Sequence, residues 1–339
     1  MLGSIKKQLK KFIIMINLTT KYAGLTLRNP LIVSSSGLTD NLDKIKKLEE
    51  SGAGAVVLKS LFEEQIQYEA TELKQHTDYP QVEDYLNYYI RHNSVDQYLQ
   101  LIENARKSVK IPVIASINCV SSTEWIDFSK RIEKAGASAL ELNVYFLPVD
   151  KNASSKSYED IYLKLANRIR ELIRIPVIFK LGQNFTNPIN LVDQLYNRGV
   201  SAVVLFNRFY SPDINIDEGK ITTSEVFSSP AEIRNSLRWV AIISHFVEKI
   251  DVAASTGIYS GKDVIKQILA GASAVQICSV IYKKGPEYIR EMIAEIEEWM
   301  KRFSYSSPGQ FRGRMNYGNI KNPSVYERAQ FMKYYSSQH

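Results

Sequence analysis

Short apolar runs in this chain end in small or polar residues, and the residue types at those ends define a chemistry. They are Ser36 and Gly37; Lys59 and Ser60; Asn118; Asn143; Lys180; Asn207; Ser255, Thr256 and Gly257; and Cys278 with Ser279. Amides, lysines and small residues suit an organic anion better than a metal, and His76, His92, His245 and His339 show no metal-ligand spacing. The small residues at 255–257 and 278–279 let backbone N–H groups converge, and such a nest holds an anion such as phosphate. Gly257 is expected to leave the room that the anion needs. A lysine at such a place has two uses. It can be a fixed cation, or Lys180 can be the nucleophile that forms a Schiff base with a sugar phosphate in a cofactor-free lyase or aldolase.

The elements that must position these residues repeat. Gly-small-small-Ala followed by an apolar run occurs as GAGAVVLKS (52–60), GASALELN (136–143), GVSAVVLFN (199–207) and GASAVQICS (271–279). A second set precedes these copies one by one: NPLIVSSSG (29–37), IPVIASIN (111–118), IPVIFKLG (175–182) and IDVAASTG (250–257). Glycine before a strand suits the end of a helix. The pattern predicts strands at 30–34, 55–58, 112–116, 139–142, 176–179, 202–206, 251–254 and 274–278 with helices between them, which is a (β/α)8 TIM barrel. The nest then falls after strands seven and eight, the usual phosphate position in that architecture.

The barrel is expected over 16–302, with a hairpin at 16–29 closing its floor, an N-terminal extension at 1–15 and a Tyr-, Ser- and Asn-rich tail at 303–339 that packs on the barrel or on a second subunit. Three connections are too long for ordinary turns: 61–93, the stretch VYFLPVDKNASSKS after ELN, and 209–234. Long loops on the C-terminal face of a barrel serve as lids or substrate walls.

Composition narrows the class. Hydrophobic residues at 45% and charged ones at 23% are ordinary for a globular protein with a sizeable core. The net charge of +7 comes from Lys and Arg scattered among Glu and Asp, so a solvated surface explains it better than nucleic-acid binding. Cys119 and Cys278 lie far apart, which argues for a reducing, cytoplasmic setting. The apolar part of the N-terminus is too short for a membrane span.

In their order along the chain, NPLIVSSSG, VVLKS, ELN, IPVIFKL, VVLFN, the Ser-Thr-Gly of AASTGIYSGKD and LAGASAVQICSVIYKKGP resemble the dihydroorotate dehydrogenase family of flavin enzymes, over most of residues 16–300. Each piece alone is weak; the constellation is specific. The resemblance implies an FMN-dependent oxidoreductase of pyrimidine biosynthesis acting on a CH–CH bond, with FMN across the barrel mouth. Its phosphate would be held by Ser255, Thr256, Gly257, Cys278 and Ser279, with Ser36, Gly37, Lys59, Ser60, Asn118 and Asn143 as further cofactor contacts. Lys180 would lie beside N1 of the flavin, where a cation stabilises the negative charge of reduction. Lys59, Asn87, Asn143 and Asn207 would bind dihydroorotate or a related small anion. The expected assembly is a homodimer.

One departure from the family pattern bears on chemistry. There, Glu-Leu-Asn is followed closely by the Cys or Ser that takes a proton from the substrate; here the sequence reads ELNVYFLP. Tyr145 stands nearest to that place, but a phenol with an ordinary pKa near ~10 is a poor base. His76 and His92 in the long loop are the other candidates. Flavin binding is therefore better supported than oxidation of dihydroorotate itself, and a non-catalytic flavin-binding relative is the third reading.

Overall fold

Gly52, Gly136, Gly199 and Gly271 of the repeat all adopt positive φ, between 82° and 124°, where each helix gives way to the next strand. That left-handed turn is cheap only for glycine, which is why the repeat is visible in the sequence. The computed structural model describes residues 15–62, 95–119, 126–144, 146–209 and 211–328.

The strands so delivered are β1 (Leu31–Val33), β2 (Ala55–Val57), β3 (Val113–Cys119), β4 (Ala139–Val144), β5 (Val177–Leu181), β6 (Ala202–Leu205), β7 (Asp251–Ala254) and β8 (Ala274–Ile277). Each pairs in parallel with its neighbours, and β8 with β1, so the sheet closes into a ring. The outer helices are α1 (Leu42–Glu50), α2 (Val95–Ser108), α3 (Ile126–Lys134), α4 (Ser155–Leu172), α5 (Pro188–Asn197), α6 (Ile233–Phe246), α7 (Gly261–Ala270) and α8 (Tyr288–Arg302). The expected TIM barrel is what the chain forms. The long connection after β6 adds an antiparallel hairpin, Pro212–Asn215 with Lys220–Thr223, that composition alone did not reveal.

Strand side chains alternate between the ring's inside and outside, so its interior is built in layers. The lowest is apolar, with Ile32, Ala55, Val57, Ile114, Ala139, Ile178, Ala202, Val204, Ala253 and Ala274 around Tyr22 and Leu27 of the hairpin Thr20–Tyr22 and Leu25–Leu27. The next layer up is polar: Ser34, Ser116, Glu141, Lys180 and Gln276, all buried. Outside the ring, Ile289, Met292, Ile296 and Met300 of α8 and Ile45 and Leu48 of α1 belong to the main core.

The hairpin seals the floor as expected. Thr20 Oγ1 donates to the Ser273 carbonyl at 3.0 Å, and Ala23 N donates to Asp251 Oδ2 at 2.9 Å. Beyond α8 the chain runs back under the barrel, where Gly313, Met315 and Tyr317 donate backbone N–H groups to Ile268, Leu269 and Ala241. Arg312 reaches Ser273 Oγ at 2.9 Å. Among the described residues, no helix is long and apolar enough to cross a membrane.

Candidate active site

The polar layer is one connected network. Lys180 Nζ donates to Ser34 Oγ at 2.9 Å and to Gln276 Oε1 at 3.0 Å, and it lies 3.9 Å from Glu141 Oε1. Gln276 turns its amide nitrogen to Glu141 Oε2, so its oxygen must face the lysine. Burial pushes the Glu141 carboxyl above its ordinary pKa, against the lowering by Lys180 and by the Gln276 hydrogen bond. Beside this network, Asn143 Nδ2 donates to Ser60 Oγ at 2.9 Å and to Ser116 Oγ at 3.2 Å. Ser60 is also linked to Ser35. The other amide atom, Asn143 Oδ1, is buried and accepts no hydrogen bond among the described residues.

A cavity of about 180 Å³ opens above Lys180. It is lined by Ser34, Ser35, Asn207, Arg208, Ser228, Ser255, Thr256, Gly257, Gln276, Cys278 and Ser279, among others. Seven of the residues expected from the sequence meet in it: Lys180, Asn207, Ser255, Thr256, Gly257, Cys278 and Ser279. Asn143 and Ser60 join it through Ser35. Ser36 folds back on its own turn, donating to the Ser34 carbonyl, and it hydrogen-bonds the Cys278 thiol, whose pKa burial raises. The place a Cβ would take on Gly37 lies 2.9 Å from the Tyr282 hydroxyl. Asn118 is half-buried at the end of β3, in register with Asn143.

Lys59 is placed differently. It lines a separate recess with Asp40, Ser60, Leu61, Gln97, Tyr98 and Leu101. Asn87, Tyr145, His76 and His92 lie outside the described residues. A larger cleft of about 300 Å³ sits between the loops after β4 and β5, against Phe146, Tyr162 and Phe185. Size favours that cleft, but the buried polar groups converge on the Lys180 cavity, and chemistry follows those groups.

Several residues of the site were missed at the sequence level. Ser34, Ser116, Glu141 and Gln276 each stand two positions before an expected site residue, Ser36, Asn118, Asn143 and Cys278. On a strand that spacing returns to the same face, so the signal was there. Ser228 gave no such signal. It comes from the connection after β6, and Gly257 N donates to its hydroxyl at 3.4 Å.

Gly257 has a packing reason of its own. A Cβ there would lie 2.2 Å from Ile233 N and 2.9 Å from Glu232 C, and φ is +77°. The bare backbone makes room for the start of α6. Gly257→Val is therefore expected to cost about 3 kcal/mol through overpacking at a left-handed position. Thermal unfolding checks this; an unchanged midpoint would contradict the close approach.

The family model "Dihydroorotate dehydrogenase" matches residues 17–300. The chain belongs to the dihydroorotate dehydrogenase family. It is 30% identical to the dihydroorotate dehydrogenase B (NAD(+)) catalytic subunit of Thermoplasma volcanium, over 85% of this chain and 93% of that one. It is 26% identical to the protein of that name in Methanocaldococcus jannaschii, over 84% of this chain and 94% of the relative. Similarity to the putative dihydroorotate dehydrogenase A (fumarate) of Aeropyrum pernix is 24% over 84% and 92%. The family is one of oxidoreductases, and the barrel agrees with it.

Proposed function

We propose that this protein is an FMN-dependent oxidoreductase of dihydroorotate dehydrogenase type, acting on dihydroorotate or a related small anionic substrate. The observation that carries the reading is the Lys180 cavity, which has a buried cation at its base and a nest of small residues at 255–257 and 278–279 on its wall. Both ends of FMN find matching chemistry there, and the unsatisfied acceptor Asn143 Oδ1 suits an N–H of a flavin or pyrimidine ring.

FMN, when bound, would take up a hydride from the substrate. The protein's part is positional and electrostatic. Lys180, held by Ser34 and Gln276, would place positive charge where reduction creates negative charge. Gly257 N–H and the Ser279 hydroxyl would bind the phosphate, and Asn143 and Asn207 would orient the substrate through amide hydrogen bonds. Lys59, in its own recess beside Ser60, would meet the substrate carboxylate at the edge of the site. A homodimer belongs to the same proposal, motivated by the exposed Ile214, Ile216 and Ile221 of the hairpin after β6; the mass in solution tests it.

A Schiff base at Lys180 is disfavoured by the same network. An iminium nitrogen carries a single N–H, so imine formation would leave one of the acceptors Ser34 Oγ and Gln276 Oε1 without the donor that Lys180 now supplies. The deciding experiment is simple. Purified protein should be yellow and should release FMN on denaturation. A colourless protein that takes up no added FMN, and whose Lys180 is trapped by borohydride with a carbonyl substrate, would overturn the proposal in favour of the lyase.

A further inference from the structure

Arg208, the residue after Asn207 at the end of β6, lines the cavity without being needed for any step above. Its Nε donates to Glu232 Oε2 at 3.0 Å, and its Nη1 donates to the Val226 carbonyl at 2.9 Å. One guanidinium thus holds both ends of the strap 226–232. Glu232 is itself fixed, since its other oxygen accepts from Ser229 N at 2.6 Å.

The middle of the strap reaches the nest. Ser228 is buried; its N–H and its hydroxyl each donate to Ser279 Oγ at 3.1 Å, and its hydroxyl accepts from Gly257 N at 3.4 Å. Tyr259 donates its hydroxyl to the Ser228 carbonyl from the other side. Donors from three chain segments therefore converge: Gly257 after β7, Ser279 after β8, and Ser228 from the strap. The first two are anchored on barrel strands. Ser228 is carried by the strap, and Tyr259 and Ser279 are among its hydrogen-bonded contacts with the barrel.

We infer that Arg208 is a positioning residue of the anion nest: by bridging Val226 and Glu232 it keeps Ser228 where a phosphate monoester would meet it. The ion pair itself adds little stability, because its partners are 27% and 35% exposed and water screens them. Its value lies in reach. A planar fork donates in two directions at once, which the single ammonium of lysine on this stem does not reproduce. The inference rests on the proposed function only where FMN is the ligand, and the phosphate group alone tests it as well.

The experiment compares FMN with riboflavin, which lacks the phosphate, by fluorescence titration of the flavin-free full chain. Arg208→Gln, Arg208→Lys and Ser228→Ala are each expected to lower the FMN-to-riboflavin affinity ratio about 10-fold while riboflavin binding stays constant. In the Arg208→Gln, Ser228→Ala double variant the two losses should not add, because both act on one hydroxyl. Equal loss for both flavins would make Arg208 merely structural and would overturn the inference. So would an unchanged ratio, or full rescue by Arg208→Lys, which would make charge alone the cause. If the wild type binds neither flavin, the proposed function falls, and the inference is then read with inorganic phosphate. Phosphate should raise the wild-type unfolding temperature and leave that of Arg208→Gln unmoved; a shift shared by both, or absent from both, would sink it.

Discussion

Lys180→Ala is expected to destabilise the protein by about 3 kcal/mol near pH 8, with the loss shrinking as pH falls, because it strands a buried carboxylate. Glu141 is fully buried, and among the described residues Lys180 is the cation recorded beside it. Burial already raises its pKa, and Lys180 is the larger of the two influences that lower it, the other being the Gln276 hydrogen bond. Without the lysine, the folded-state pKa climbs further above the ordinary glutamate value near ~4.3. The folded state then holds a proton that the unfolded state has released, so stability falls as pH rises between those two values and is recovered in mild acid. Urea unfolding at several pH values from about 5 to 8 measures this. A loss independent of pH would mean that Glu141 is not the stranded group. The same variant should bind FMN with a lowered reduction potential, since the cation that stabilises the reduced ring is gone.

Dihydroorotate is expected to reduce the bound flavin about 10²–10⁴-fold more slowly than in a relative that carries Cys or Ser after Glu-Leu-Asn, the usual cost of a lost general base. The amides and the cation of the site are in place, but ELNVYFLP supplies no thiol or aliphatic hydroxyl there. The described hydroxyls nearest Asn143, those of Ser60 and Ser116, are engaged with each other at 2.8 Å and with the amide itself. Stopped-flow reduction of the wild type, Tyr145→Phe, His76→Ala and His92→Ala separates the cases. Fast reduction in the wild type would refute the expectation, and its loss in one variant would identify the substitute base. Uniformly slow reduction would point to another substrate or to a flavin-binding role.

The barrel was legible because its turns are encoded locally. Gly52, Gly136, Gly199 and Gly271 each need a backbone that other residues avoid, and the apolar runs after them are short and unbroken. Both edges of the nest were legible for a similar reason, being strand ends rich in small residues. What could not be read depends on partners far away in sequence. Glu141 and Gln276 are 135 residues apart, and only barrel closure brings them together. Ser228 meets Ser279 across 51 residues through a strap with no regular pattern. The placement of Lys59 in a recess of its own is likewise set by neighbours from α2 that its strand motif does not mention.

Asp251 at the foot of β7 accepts from Ala23 N, 228 positions earlier, and from the Ser273 hydroxyl at 2.6 Å, and Arg312 approaches it to 3.8 Å. One carboxylate thus ties the first hairpin, the last strand pair and the returning C-terminal segment. Contacts of such span carry the largest loop-closure entropy and are made after neighbouring strand–helix units have formed. Until then β1 and β8 are open edges with unmet N–H and C=O groups, free to pair with another chain. Asp251 is therefore a fastening of the closed ring, placed well away from the chemistry at the other end of the barrel.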